Sequence, residues 1–169
     1  MLAEFVVLVL LPGLLVAAAS WDAASFTIPN FIPLALIASF ALLIFAGHMT
    51  PAIFGGHLLA GFIGLIAGFT LFALGYVGGG DAKLFAATAL MLGLDDLPRF
   101  ALIASVFGGG LTLSLLMMRK MPLPRAFAAQ GWIARLHDDR EGIPYGIALA
   151  LGALVILPYT DLFRLATGG

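Results

Sequence analysis

The 169 residues are 62% hydrophobic and 10% charged, carry a formal net charge of −1 and contain no cysteine. With a mean hydropathy of +1.12, the chain has more apolar surface than a water-soluble fold can cover, whereas lipid tails solvate such surface directly. The same numbers exclude disulfides, thiolate metal sites and cysteine nucleophiles, and they supply no charge for nucleic-acid binding.

Apolar runs broken by Gly, Pro and charge predict an all-α integral membrane protein, a single polytopic domain over 1–169. About six transmembrane helices are expected, near 2–20, 31–47, 55–75, 82–96, 99–118 and 143–159. The first run ends in Ala17-Ala18-Ala19, which resembles a signal cleavage site. It has Glu4 and no Lys or Arg before Lys83, so it lacks a basic n-region and reads as a membrane helix. Ser20-Trp21-Asp22 follows it. Pro29 and Asn30 are expected to end the next segment and cap the second helix. His48 and His57 flank a loop and read as surface histidines rather than a metal pair.

The third helix runs to Gly78-Gly79-Gly80-Asp81. From Ala82 to Leu94 the fourth covers only about 20 Å at 1.5 Å per residue, against a hydrocarbon core of about 30 Å. Either the bilayer thins there, or the helix start at Asp81 lies below the headgroups. In the loop 119–142, Leu123, Phe127, Trp132, Ile133 and Leu136 alternate with Arg125, Gln130 and Arg135. That pattern fits an amphipathic helix in the interface plane and equally a solvated linker. His137 to Glu141 reads as a solvated turn, and Pro144-Tyr145-Gly146 shapes the entry to the last helix.

Five of the eight basic residues, Arg119, Lys120, Arg125, Arg135 and Arg140, fall in that loop. Positive loops stay cytoplasmic, so 20–30, 76–83 and 119–142 are expected inside and the N-terminus outside. This orientation brings Asp22 and Asp81 to one face at similar depth.

Acidic residues at membrane depth are costly and rare. Two adjacent carboxylates cannot both ionise comfortably and hold one proton between them. Such a pair activates a water with its ionised member and protonates the departing group with the other, which is aspartyl protease chemistry. It needs no cofactor or metal. Gly78, Gly79 and Gly80 permit unusual backbone and close approach, so an unwound stretch there is expected to bind an extended substrate. Two other readings remain at this point. The aspartates can be plain helix-end charges, or they can handle protons or cations in a small transporter or a secretion-system assembly subunit.

Three segments, in order, resemble the prepilin peptidases, intramembrane aspartyl proteases with a G-x-G-D signature. They are Gly78-Gly79-Gly80-Asp81-Ala82-Lys83-Leu84, Asp22 with Ile28-Pro29-Asn30, and Ile143-Pro144-Tyr145-Gly146. The resemblance implies removal of the leader from type IV prepilin precursors at the cytoplasmic face of a bacterial inner membrane. It implies Asp22 and Asp81 as the catalytic pair, with Gly78 and Gly80 as motif glycines. Lys83 would help polarise the site or reach lipid phosphate. The chain is most similar to the short single-function branch acting on Flp-type pilins. Longer members carry a cysteine-bearing insert and also methylate the new N-terminus; insert and cysteine are both missing here, which argues against methylation. Ala23 to Thr27 departs from the basic residues common in the family. Neither the pilin substrate nor an oligomeric state is readable from the sequence.

Overall fold

The computed structural model describes residues 1–45, 49–124 and 129–168. Helix α1 runs over Leu2–Ser25, α2 over Phe31–Phe45, α3 over Pro51–Ala73, α4 over Gly79–Leu92 and α5 over Leu97–Arg119. After the short α6 (Gly131–His137) come α7 (Tyr145–Ile156), a 3-10 turn (Leu157–Tyr159) and α8 (Asp161–Thr167). Among the described residues there is no strand, and the protein is an all-α membrane protein. His48, Arg125 and Phe127 lie outside the described residues.

Three helices, α1, α3 and α5, are each long and apolar enough to cross a membrane, and α7 with α8, bent by 54°, is a fourth candidate. Helices α2 and α4, with 15 and 14 residues, cover only about 21–23 Å of a core of about 30 Å. Helix α1 passes through Leu11-Pro12-Gly13 without a break. Proline lacks an N–H and crowds the carbonyl four residues back, and the five-residue π segment Val6–Leu10 widens the helix where that crowding falls.

Glycines set how closely the helices approach. A Cβ on Gly61, Gly64 or Gly68 of α3 would lie 3.0 Å from Leu90 Cβ, 2.8 Å from Ala89 Cβ or 2.9 Å from the Ala82 carbonyl oxygen. One glycine stripe therefore brings α4 against α3 backbone to backbone. Dispersion contacts of that kind hold helices together where lipid removes the hydrophobic drive. Gly152 of α7 meets Ala104 of α5 at 3.0 Å in the same way. Helix α7 packs against α1, α5 and α4, while α2 packs on the opposite flank of α4.

The structure corrects two expectations. His57 is not a surface residue: it is 4% exposed, its Nδ1–H donates to the Leu90 carbonyl at 2.8 Å, and its ring meets Phe40 at 5.3 Å. Gly93, at φ +88°, lies under that ring. The glycine run before Asp81 is not unwound, since Gly79 and Gly80 belong to α4 and only Gly78 precedes it. In the last loop, the helical part described is the single element α6, which touches the ends of α1 and α5. Arg119 ties this loop down, donating from Nε to the Leu136 carbonyl and from Nη2 to the Gly142 carbonyl, each at 2.9 Å.

Candidate active site

Asp22 lies in the last turns of α1 and is 3% exposed. Helix α1 stops at Phe26, which takes the left-handed conformation (φ 55°, ψ 27°) and donates its N–H to the Asp22 carbonyl at 2.8 Å. A bulky residue in that region is uncommon and strained. Ser25 steadies the turn, with Oγ bonded to the Trp21 carbonyl and to Thr27 Oγ1, each at 2.8 Å. The chain thereby turns back beneath α1, and Ile28, 6% exposed, becomes a plug in the site.

Two glycines receive that plug. A Cβ on Gly80 would lie 3.1 Å from Ile28 Cβ and 3.2 Å from its backbone N, and one on Gly146 would lie 2.8 Å from Ile28 Cδ1. Gly80 therefore faces its own chain rather than open space, and Gly79 likewise faces the Phe72 ring at 3.4 Å. Close approach, not exposure, is what the structure uses these glycines for.

Asp81 sits in the first turn of α4, and its Oδ2 accepts the Gly78 N–H at 3.2 Å. Its Oδ1 is buried and has no hydrogen-bond partner among the described residues. Asp22 Oδ2 accepts the Gly146 N–H, at the first turn of α7, at 2.7 Å. Asp81 stands close enough for its charge to act on the Asp22 carboxyl. The site thus joins the end of α1 to the starts of α4 and α7. A buried, unpartnered carboxyl oxygen close to a second carboxyl is the arrangement in which one proton can be shared.

Asp81 also lines a cavity of about 820 Å³ between α3, α4, α5 and α7. Its walls are largely small residues, Gly68, Ala82, Ala104, Gly108 and Gly109, with Tyr76, Ser105, Thr112 and Tyr145 as polar points. Tyr145 Oη and Thr112 Oγ1 lie 3.5 Å apart. Among the described residues, α3 and α5 form no packed face, so the cavity has an open side between them.

Of the other predicted residues, Pro144 precedes α7 and Pro29 begins the turn into α2, where its carbonyl accepts the Ile32 N–H at 3.1 Å. Asn30 does not cap α2 with its side chain: its Oδ1 accepts from Lys83 Nζ at 2.9 Å. Lys83 and Asn30 together line a separate cavity on the α2 side of α4, away from the Asp81 cavity. Ile28 and Arg119 were not singled out from the sequence as functional. Ile28 stood within a quoted segment, but nothing in the order of residues says it enters the space between Gly80 and Gly146.

The family model of the type IV leader peptidases matches residues 9–113. The chain is 36% identical over 105 residues to the prepilin leader peptidase/N-methyltransferase of Bacillus subtilis (strain 168), covering 55% of this chain and 42% of that relative. It thus spans less than half the length of the curated relative it matches. No solved structure matches it.

Proposed function

The chain belongs to the type IV leader peptidase family, and from that membership we propose that Asp22 and Asp81 are the catalytic pair of a membrane endopeptidase that removes the leader from type IV prepilins. The observation that carries this reading is that the Gly146 N–H holds Asp22 at 2.7 Å while Asp81, its Oδ1 buried without a partner among the described residues, lines the adjoining cavity.

In the proposed reaction one carboxyl is ionised and the other protonated. The ionised member takes a proton from a water, whose oxygen bonds to the scissile carbonyl carbon while the protonated member donates to the carbonyl oxygen. Collapse of the tetrahedral species breaks the C–N bond, and the proton taken from water leaves on the amine. The roles belong to the pair and not to either residue.

The substrate approaches from the cavity side. Tyr76 and Val77 line the cavity. With the Tyr76 N–H and both main-chain groups of Gly78 bonded within the chain, the Tyr76 carbonyl and the Val77 N–H and carbonyl are the main-chain groups offered to an extended segment. Gly79 and Gly80 contribute by letting α4 seat against Phe72 and Ile28. The apolar part of the substrate that follows the scissile bond lies in the open-sided cavity, among Gly108, Gly109 and Ala104.

The finer parts of the proposal rest on the sequence. Arg119, Lys120, Arg125, Arg135 and Arg140 place this end of the bundle in the cytoplasm, and hence the protein in the bacterial inner membrane. The absence of cysteine favours peptidase action without methylation, and the resemblance to the short single-function branch favours Flp-type pilins as substrates. The test is to incubate the full chain in vesicles with a type IV prepilin precursor and follow leader release by mass. Release that is abolished by Asp22→Asn supports the reading. No release, or release that survives this substitution, removes it.

A further inference from the structure

The second cavity, of about 590 Å³, is a trough between α2 and α3 with α4 as its floor. Leu34, Ile37, Phe62, Leu65 and Ala86 wall it, and among the described residues Lys83 is its one cationic group. Lys83 is exposed, and among the described residues its ammonium makes one hydrogen bond, to Asn30 Oδ1. Among the described residues no carboxylate lies within ion-pair distance of it. An ammonium so placed keeps two donors and its full charge for a ligand.

The position of the trough narrows what that ligand is. Lys83 lies one turn inside α4, at the end of the bundle that carries Asp22 and Asp81. The floor runs from there to Leu90, about 10 Å along the helix, within the roughly 15 Å that one leaflet contributes to the hydrocarbon core. A membrane-crossing helix needs about three times that length of groove, so a protein segment fits poorly. A molecule with acyl chains and an anionic head fits both ends.

We propose that this trough binds one anionic glycerophospholipid from the leaflet on the Lys83 side. Its phosphate sits against the Lys83 ammonium and the Asn30 amide, and its acyl chains run along Ile37, Phe62 and Leu65. A zwitterionic lipid has the same phosphate, but its own cation competes with Lys83 for it, so the trough prefers net negative charge. The proposal stands apart from the peptidase reading, because lipid retention and leader release are measured separately.

The experiment uses the full chain in a mild detergent, exposed to equal amounts of phosphatidylglycerol and phosphatidylcholine, with retained lipid counted by native mass spectrometry. The wild type is expected to hold one phosphatidylglycerol with a preference of about fivefold, the scale of one Lys at an anionic surface. Lys83→Gln should abolish the preference and Lys83→Arg should keep it. Ala86→Phe, which fills the trough, should release lipid of either kind, while Ser105→Phe in the Asp81 cavity should not. No preference in the wild type, or the same preference in Lys83→Gln, overturns the proposal. So does retention lost in Ser105→Phe and kept in Ala86→Phe. If Ala86→Phe fails to fold, the Gln and Arg pair at Lys83 still decides the matter.

Discussion

The backbone N–H of Gly146 donates to Asp22 Oδ2 at 2.7 Å across 124 residues of sequence. Gly146 lies beyond residue 113, where the family match ends, so the site draws on a part of the chain that the match does not reach. The contact leaves no room for a side chain. A Cβ at Gly146 would lie 2.8 Å from both Asp22 Oδ2 and Ile28 Cδ1, distances that force one of them to move. Gly146→Ala is expected to lower prepilin cleavage by about 100-fold, the cost of displacing a reacting group by about 1 Å. Gly13→Ala, where nothing lies within 4 Å, should leave activity intact and stabilise α1 by about 0.5–1 kcal/mol. Equal activity in both variants would separate Gly146 from the chemistry.

The shared proton proposed for Asp22 and Asp81 makes its own prediction. Asp22→Asn and Asp81→Asn should each reduce leader release by on the order of 10²–10⁴-fold. The double variant should be no worse than either alone, because residues acting as one unit are not additive. The pH profile of cleavage should be bell-shaped, since both the doubly protonated and the doubly ionised pair are inactive. Losses that multiply in the double variant would mean two independent roles.

Gly80 tests whether close packing is what the motif glycine supplies. Its missing Cβ would meet Ile28 Cβ at 3.1 Å and Ile28 N at 3.2 Å. Gly80→Ala should therefore push the 26–30 segment away from α4 and cost about tenfold in cleavage, ~1.4 kcal/mol of barrier. Trimming the neighbour does not remove the backbone nitrogen, so Ile28→Ala should fail to rescue it. Gly80→Val should be inactive, with membrane insertion retained. Full activity in Gly80→Ala would show that α4 and this segment have slack that the geometry does not suggest.

Local signals made most of the fold legible. The helices begin and end close to where Pro, Gly and charge break the apolar runs, and Asp22 and Asp81 were readable because charge is rare in such a chain. What escaped was tertiary. Gly79 and Gly80 looked like a helix breaker, yet they are helical, and glycine stands there because α3 and Ile28 crowd that side of α4 and leave little room for a Cβ. His57 looked superficial because its partners, the Leu90 carbonyl, Phe40 and Gly93, come from other elements. Asn30 looked like a cap, but Lys83 is 53 positions away and takes its side chain. The bent α7–α8 end was cut short at 159, since Thr160 caps a new helix by accepting the Phe163 N–H at 3.2 Å.

Arg119 carries the last prediction, because it connects a loop with no catalytic group to the position of Gly146. Its guanidinium donates to the Leu136 and Gly142 carbonyls at once, each at 2.9 Å. Gly142 stands four residues before Gly146. The clamp thus fixes where the chain re-enters the bundle, and with it the N–H that holds Asp22. Hydrogen bonds from a charged group contribute about 1.5–3 kcal/mol when buried and less with the exposure seen at Gly142. Lysine has one nitrogen and no planar fork, so it cannot span both carbonyls. Arg119→Lys is expected to reduce cleavage by a few-fold and Arg119→Ala by about tenfold. In both, residues 129–144 should become more open to limited proteolysis while thermal unfolding of the bundle changes little. The split matters: Gly146→Ala disturbs Asp22 directly and should leave the loop as resistant as the wild type. Arg119 variants with normal cleavage and a loosened loop would show that α7 holds Gly146 in place without the clamp.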